Sequence, residues 1–356
     1  LGAAGRQACG GDVEGLTIGL TVSLEGSQPM LSREHLIEKA AAWMPRGWAG
    51  AQMRIHTDAS DFFAVGYGDI LQLGSHAYLI RNSAREGRFG LEDEVKHWVK
   101  RAIALESGEM CIVKLLYYEK FTTQIGGITF ECFRSARKEA RILDLVHEHP
   151  NFMHGVTLPD EKGNPVRILE VISGRTLADH ITDRTQDHET YFYETLPGII
   201  DKFLECIEAV RFLHDHREKH GDIRRDHILV DSHSGRYRWI DFDYNYRHRE
   251  NIYGYDLFGL GNILAFIIGK GDVRLGDLKQ KTPELLERLT EADLNIVFRN
   301  RVVNLKKIYP YIPTSLNQIL LHFSRGTHWF YEHTGQLIND LESVRAEMGW
   351  RGVKGA

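Results

Sequence analysis

The chain has 356 residues, is 42% hydrophobic and 26% charged, and carries a formal net charge of −5. This balance fits an ordinary globular protein with room for two lobes, and it lacks the basic field that nucleic-acid binding draws on. The longest apolar run, Leu257 to Ile268, is broken by Gly259, Gly261 and Asn262 and is too short for a bilayer, so neither nucleic acid nor membrane is expected as a partner. The opening residues, LGAAGRQACGGDVEG, lack a basic start followed by an apolar core, so no signal peptide is expected. Four cysteines, Cys9, Cys111, Cys132 and Cys206, are widely spaced without a CxxC. They read as reduced thiols rather than a disulfide framework or zinc site, which places the expectation in the cytoplasm.

In chain order, residues 1–30 are Gly-rich with one strand-like run, Leu16 to Leu24. Ser32 can cap a helix reaching Met44, with Leu36, Ala40, Trp43 and Met44 on one face and Pro45 and Gly47 ending it. Residues 1–68 are read as an extension without chemistry of its own. Strand patterns follow at Ile70–Leu73, Ala77–Ile80, Trp98–Leu105 and Met110–Tyr117, the last two forming a hairpin around Ser107-Gly108. A helix is expected over Phe133–His147, with Ala136, Ala140, Leu143 and Val146 on one face, and a strand over Val166–Ile172. A boundary near Ser173 divides residues 69–172 from residues 173–350. An amphipathic helix, Tyr193 to His216, then leads into HGDIRRDHILVDSHSGRYRWIDFD, residues 220–243. Two short strands around Ser232-His233-Ser234-Gly235 would bring Asp222 and Asp241 to one cleft. Such a carboxylate pair suits a base for a hydroxyl and a hard oxygen ligand for Mg²⁺. On the residues alone, a surface hairpin with solvated acids stays open.

HGDIRRDHILVD followed by IDFD resembles the catalytic and metal-binding loops of the protein-kinase-like superfamily. CIVK at 111–114 is similar to the strand with the phosphate-gripping lysine, and ARKEARILDLVHEHPN to the helix with its partner glutamate. RILEVISGRTL is similar to the strand entering the hinge, and YDLFGLG to the buried helix of the large lobe. The tail IPTSLNQILLHFSRGTHWFYEHTGQLINDLESV is similar to the last helices of bacterial Ser/Thr kinases. The resemblance spans roughly residues 70 to 345. It implies an α+β bilobal fold, with an antiparallel β small lobe and a mainly α-helical large lobe. It also implies ATP with Mg²⁺ or Mn²⁺, and transfer of the γ-phosphate to a hydroxyl of a protein partner. Residue by residue, Lys114 and Glu139 would form the phosphate-binding ion pair and Asp222 would orient and deprotonate the acceptor. Arg224 would steady the γ-phosphate and Asp241 would hold the metal. Val99, Ile112 and Leu169 would line the adenine slot, with backbone groups of Glu170 and Ile172 at the hinge. His220 and Phe242 would be spine members, and Asp256 would anchor the catalytic-loop backbone.

The departures bear on chemistry. His227 stands where the family has asparagine as second metal ligand; imidazole suits Mn²⁺ better than Mg²⁺. Asp243 replaces the glycine of DFG and offers a further carboxylate. Gly87 and Gly90 resemble half of a Gly-rich loop, with an acidic insertion, Leu91 to His97, behind it. Ile112 takes the place of a small alanine. Gly221 takes the place of an arginine that reads a phosphorylated loop, and no APE segment follows Asp241. Three readings stay open at this level: an active protein kinase, a nucleotide-holding pseudokinase or scaffold, and a small-molecule kinase.

Overall fold

The computed structural model describes residues 31–45, 53–86, 94–125, 127–248 and 251–350. Helix α1 (Arg33–Ala41) begins where Ser32 Oγ accepts the His35 N–H at 3.3 Å. It ends three residues before Met44. Leu36 and Ala40 are fully buried against Ile70, Ala77, Leu79, Ile103 and Leu105 of the small-lobe sheet. The described part of the extension is thus covered by an apolar seam on the sheet behind it, and Trp43 stays 44% exposed.

That sheet runs β1-β2-β3-β4-β5-β9-β8 in space. Its members are β1 (Ile55–His56), β2 (Ile70–Leu73), β3 (His76–Glu86), β4 (Glu94–Ala104), β5 (Met110–Lys114), β8 (Gly155–Pro159) and β9 (Pro165–Glu170). Every pairing is antiparallel except β1 with β2. Val99 stands opposite Lys114 and Ile112 opposite Leu169. Along β3 one step, Ser83 to Ala84, faces four steps on β4, Lys100 to Lys96. The extra residues make a bulge, the kind of irregularity that re-aims a side chain.

A second sheet was not anticipated from the sequence. Strands β6 (Lys120–Ile125) and β7 (Ile128–Arg134) form a hairpin, and β13 (Tyr244–Arg247) pairs with β7 on its other side. The helix expected over Phe133–His147 is therefore shorter: Phe133 and Arg134 are held in the ladder with Asn245 and Tyr244. Helix α2 (Ala136–Leu145) starts after Ser135, whose side chain accepts the Lys138 N–H at 3.2 Å. Its buried face keeps Ala136, Leu143 and Val146 as expected, with Ala140 half-buried, and is widened by Lys138, Glu139 and Ile142.

The large lobe opens with β10 (Gly174–Thr176), α3 (Leu177–Thr182) and the single turn α4 (His188–Thr190), which leads into α5 (Leu196–Asp215). Strands β11 (Ile228–Asp231) and β12 (Tyr237–Trp239) form the expected hairpin, with β10 alongside β11. Helix α6 (Gly254–Ile268) runs through the middle, followed by α7 (Leu275–Lys281), α8 (Pro283–Leu286), α9 (Thr314–Leu321) and α10 (Thr334–Glu347). One core joins α5, α6, α9 and α10 to Phe130, Ile142, Leu143, Phe152 and Leu169 of the other lobe. This is an α+β, bilobal, kinase-like arrangement. No helix among the described residues is long and apolar enough to cross a membrane. Cys111, Cys132 and Cys206 are free and buried, and burial pushes the Cys111 and Cys132 thiols up to about 11.

Candidate active site

The loop after α5 is shaped by one buried carboxylate. Asp256, fully buried at the start of α6, accepts the N–H of His220 at 2.9 Å and of Gly221 at 2.8 Å. His214 Nε2 lies 3.1 Å from the same carboxylate. Burial works to raise Asp256, but His214 and the backbone donors hold it below its ordinary range. Burial pushes His220 down to about 3, so its ring is neutral; it lies edge-on to Trp239 at 4.7 Å and to Phe242 at 6.1 Å. His214 and His220 are thus structural members, not a metal cluster.

Gly221 has φ +86°, and a Cβ there would sit 1.9 Å from the Tyr244 carbonyl oxygen. The arginine expected in related loops has no room because β13 begins against this backbone. Gly221→Ala is expected to cost about 1–3 kcal/mol through strain and displacement of Tyr244. A urea titration checks it, and a wild-type midpoint would show that β13 can move away at no cost.

Opposite this loop, three carboxylates converge on Lys114. Its Nζ lies 2.8 Å from Glu139 Oε1, 2.6 Å from Asp241 Oδ1 and 3.2 Å from Asp243 Oδ2. Asp241 reaches this position with φ +62°, a conformation that costs energy outside glycine. Its other oxygen, Oδ2, lies 3.3 Å from Lys96 Nζ. Lys96 follows the β4 bulge toward Glu94, in the stretch expected to be an acidic insertion. Arg134 donates to Asp243 at 2.6 Å, and Arg167 to Glu139 at 3.0 Å. Burial alone would raise Asp241 and Asp243. The cations together outweigh it, Lys114 first, with Lys96 and His227 at Asp241 and Arg134 at Asp243, and both carboxyls end below their usual range. Burial likewise works to lower Lys114, and Asp241, Asp243 and Glu139 reverse it.

Asp222 faces the cleft with 16% of its side chain exposed. Burial raises its carboxyl above the usual range, against the pull of His227 and Arg224. Its carbonyl lies 2.9 Å from His227 Nδ1. A carbonyl only accepts, so Nδ1 carries the proton and Nε2 is the ligand-capable nitrogen of the neutral ring. That Nε2 lies 3.6 Å from Asp241 Oδ2. Arg224, 28% exposed, donates to Asp226 at 2.9 Å.

These residues fit a hard or borderline divalent cation. Oxygens of Glu139, Asp241 and Asp243 lie within 4.8 Å of one another. Lys114 is bonded to all three and Lys96 stands 3.3 Å from Asp241 Oδ2, so an ion held by that oxygen and His227 Nε2 would displace the Lys96 ammonium. Asp243 and Glu139 thus extend the set expected from Asp241 and His227.

Of the residues expected at an adenine slot, Val99, Ile112 and Leu169 lie on the adjacent strands β4, β5 and β9, and Ile172 follows β9. Val99 and Leu169 are buried, and Ile112 and Ile172 half-buried. The Glu170 N–H donates to the His154 carbonyl at 3.1 Å, and its side chain pairs with Arg238. The backbone donor of Glu170 is thus taken by the residue that precedes β8. Gly87 and Gly90 lie outside the described residues.

Lys138, 1% exposed, was missed by sequence reasoning. Its ammonium donates to the carbonyls of His220 at 2.7 Å, Phe242 at 2.7 Å and Tyr244 at 2.6 Å. One side chain from α2 therefore ties the loop at His220, the loop at Phe242 and β13 together. Burial pushes it down to about 8, against the pull of Asp256 and Asp243, so the charge is kept at neutral pH. Its neighbour Glu139 was found by its place in a motif, whereas a lysine on an inward face breaks the apolar period that marks such faces. Lys96 and Arg134 were missed for a related reason: the bulge and the second sheet that aim them are not local patterns.

Comparison with known proteins gives partial matches. No protein-family model matches the chain. It is 29% identical over 151 residues, 41% of its length, to a Caenorhabditis elegans protein named as a ribosomal protein S6 kinase alpha-2, covering 17% of that protein. It is 28% identical over 37% of its length to a Dictyostelium discoideum protein named as serine/threonine-protein kinase fhkD, covering 16% of it. A Trypanosoma brucei brucei protein named as serine/threonine-protein kinase A is 23% identical over 43% of the chain, with 33% of that protein covered. The chain spans between 16% and 33% of the length of these relatives. Over about two fifths of its length it is similar to Ser/Thr protein kinases.

Proposed function

We propose that this chain is an ATP-dependent phosphotransferase of the Ser/Thr protein-kinase type, acting in the cytoplasm on a protein hydroxyl with Mg²⁺ or Mn²⁺. The observation that carries the reading is Lys114 fixed between Glu139 at 2.8 Å and Asp241 at 2.6 Å, on a cleft that Asp222 also faces. In this reading Lys114, kept cationic by its three carboxylates, grips the α- and β-phosphates. Asp222 accepts a hydrogen bond from the acceptor hydroxyl and takes its proton as the phosphoryl group moves. Arg224 presents a planar fork to the γ-phosphate oxygens. Asp241, with His227 Nε2, would hold a divalent ion, which supplies charge neutralisation at the phosphates. Val99, Ile112 and Leu169 exclude water from the adenine slot.

A raised Asp222 carboxyl keeps its proton to higher pH than a free one. The acid limb of kcat/KM is therefore expected above the ordinary aspartate range of about 4. A pH profile measured with saturating metal checks this, and a limb below that range would exclude Asp222 as the group that must ionise.

The second reading, a nucleotide-holding pseudokinase, is favoured by Lys96, whose ammonium stands on the Asp241 oxygen that an ion would use. Radiolabelled γ-phosphate transfer by purified protein, with Mg²⁺ and with Mn²⁺, separates the two. Label on the protein itself or on lysate proteins is expected; its absence with both ions would leave the pseudokinase. His227→Asn is expected to shift the metal preference from Mn²⁺ toward Mg²⁺. An unchanged ratio of the two rates would remove His227 from the metal site.

A further inference from the structure

Beside the catalytic loop, one buried carboxylate serves three guanidinium groups. Arg225, the residue after Arg224, forks onto Asp272, with one nitrogen 2.8 Å from Oδ1 and the other 3.2 Å from Oδ2. Arg301 reaches Oδ1 at 3.1 Å and Arg274 reaches Oδ2 at 3.2 Å. A carboxylate offers about four lone-pair sites, whereas each guanidinium carries about five N–H donors. Asp272 can therefore satisfy a minority of the donors around it. Arg225 lies over the Phe266 ring at 4.1 Å, a contact that fixes its plane without accepting an in-plane N–H.

The local charge is positive on a chain whose net charge is −5. Three arginines face Asp272, and the neighbouring Arg224–Asp226 pair cancels itself, so an excess of two positive charges remains. Burial, together with the charges of Arg225 and Arg274, pushes Arg301 down to about 10 in spite of Asp272. The side chain of Arg274 is 52% exposed, that of Arg225 23%, and that of Asp272 6%. The anchor is buried and the donors reach solvent.

We infer that this cluster reads negative charge on the acceptor, and that the acceptor is an acidic polypeptide segment with Asp or Glu close to its hydroxyl residue. The inference rests on the phosphotransferase reading, in which the acceptor hydroxyl lies at Asp222. Arg225 is three residues beyond Asp222, a reach of at most roughly 10 Å along the backbone. An extended segment with its hydroxyl at Asp222 brings a side chain about three residues away to the arginines. Bidentate guanidinium–carboxylate pairing gives the contact its direction.

The test is fluorescence anisotropy on the full chain with a non-hydrolysable ATP analogue. Three labelled peptides share one Ser and differ in flanks of Glu, Gln or Arg. The Glu peptide is expected to bind at least about tenfold more tightly than the Gln peptide, and the Arg peptide more weakly than either. Arg274→Glu should remove that advantage and Arg274→Gln reduce it, with the thermal shift from Mn²⁺ and ATP unchanged in both. Equal binding of the Glu and Gln peptides, an unaffected Arg274→Glu protein, or stronger competition by single-stranded DNA of equal charge would each overturn the inference. Label transfer is read separately. Selective binding without transfer sinks the activity and leaves the acidic site standing; transfer without charge preference does the reverse.

Discussion

Asp222→Asn is expected to slow phosphoryl transfer by roughly 10²–10⁴-fold, the span that a positioned general base contributes. Asparagine keeps the shape, so the loop held by Asp256 should stay in place and the thermal shift with nucleotide should be unchanged. The sign of the stability effect is opposite to that of the rate. A carboxyl raised by burial opposes folding at pH values above its folded pKa, so its neutral replacement should melt at the same temperature or slightly higher. Single-turnover transfer measured beside a melting curve checks both. A variant that keeps the wild-type rate would take Asp222 out of the chemistry.

Arg134→Met is expected to destabilise the protein by roughly 3–5 kcal/mol, because it removes one partner of a buried ion pair. Arg134 and Asp243 are 5% and 1% exposed and meet at 2.6 Å. Arg134 also donates to the Tyr244 hydroxyl at 2.6 Å and lies over that ring at 4.0 Å. The double variant Arg134→Met, Asp243→Leu should recover a large part of the loss, since it buries no unpaired charge. Urea titration of the single and double variants measures the difference. A single-variant loss near zero would mean that water reaches the pair on local opening.

The sequence was most legible where motif and local pattern coincide. Lys114 sits on a short apolar strand, Asp222 and Asp241 flank a hairpin with a Gly turn, and Asp256 opens a nearly continuous apolar helix. In each case a few adjacent residues state the element and carry the resemblance that suggests a role. The second sheet was harder to see. Lys120 to Ile125 and Ile128 to Arg134 carry β-branched and aromatic residues around a Gly pair, which is a hairpin signal but does not show which strand pairs outside it. Tyr244 to Arg247 alternates buried tyrosines with more exposed polar residues over only four positions, too short a run to mark a strand alone, and its partners lie more than a hundred positions away. The wider buried face of α2 has the same origin. Lys138 is buried because three carbonyls from distant segments meet it, and no helical periodicity reports that.

The ladder between β13 and β7 gives the molecule a second fastening. Beyond the core that the two lobes share, Tyr244–Arg247 stitches back to Glu131–Arg134. Held by this ladder as well as by the shared core, the two lobes cannot swing open freely; they must turn about the line of the ladder or unzip it. Admission and escape of a nucleotide would then be paced by twisting about that line, or by the fraying of four residue pairs. Amide hydrogen exchange at Tyr244–Arg247 distinguishes these, because it keeps step with nucleotide release if the zipper opens and stays slow if the lobes twist.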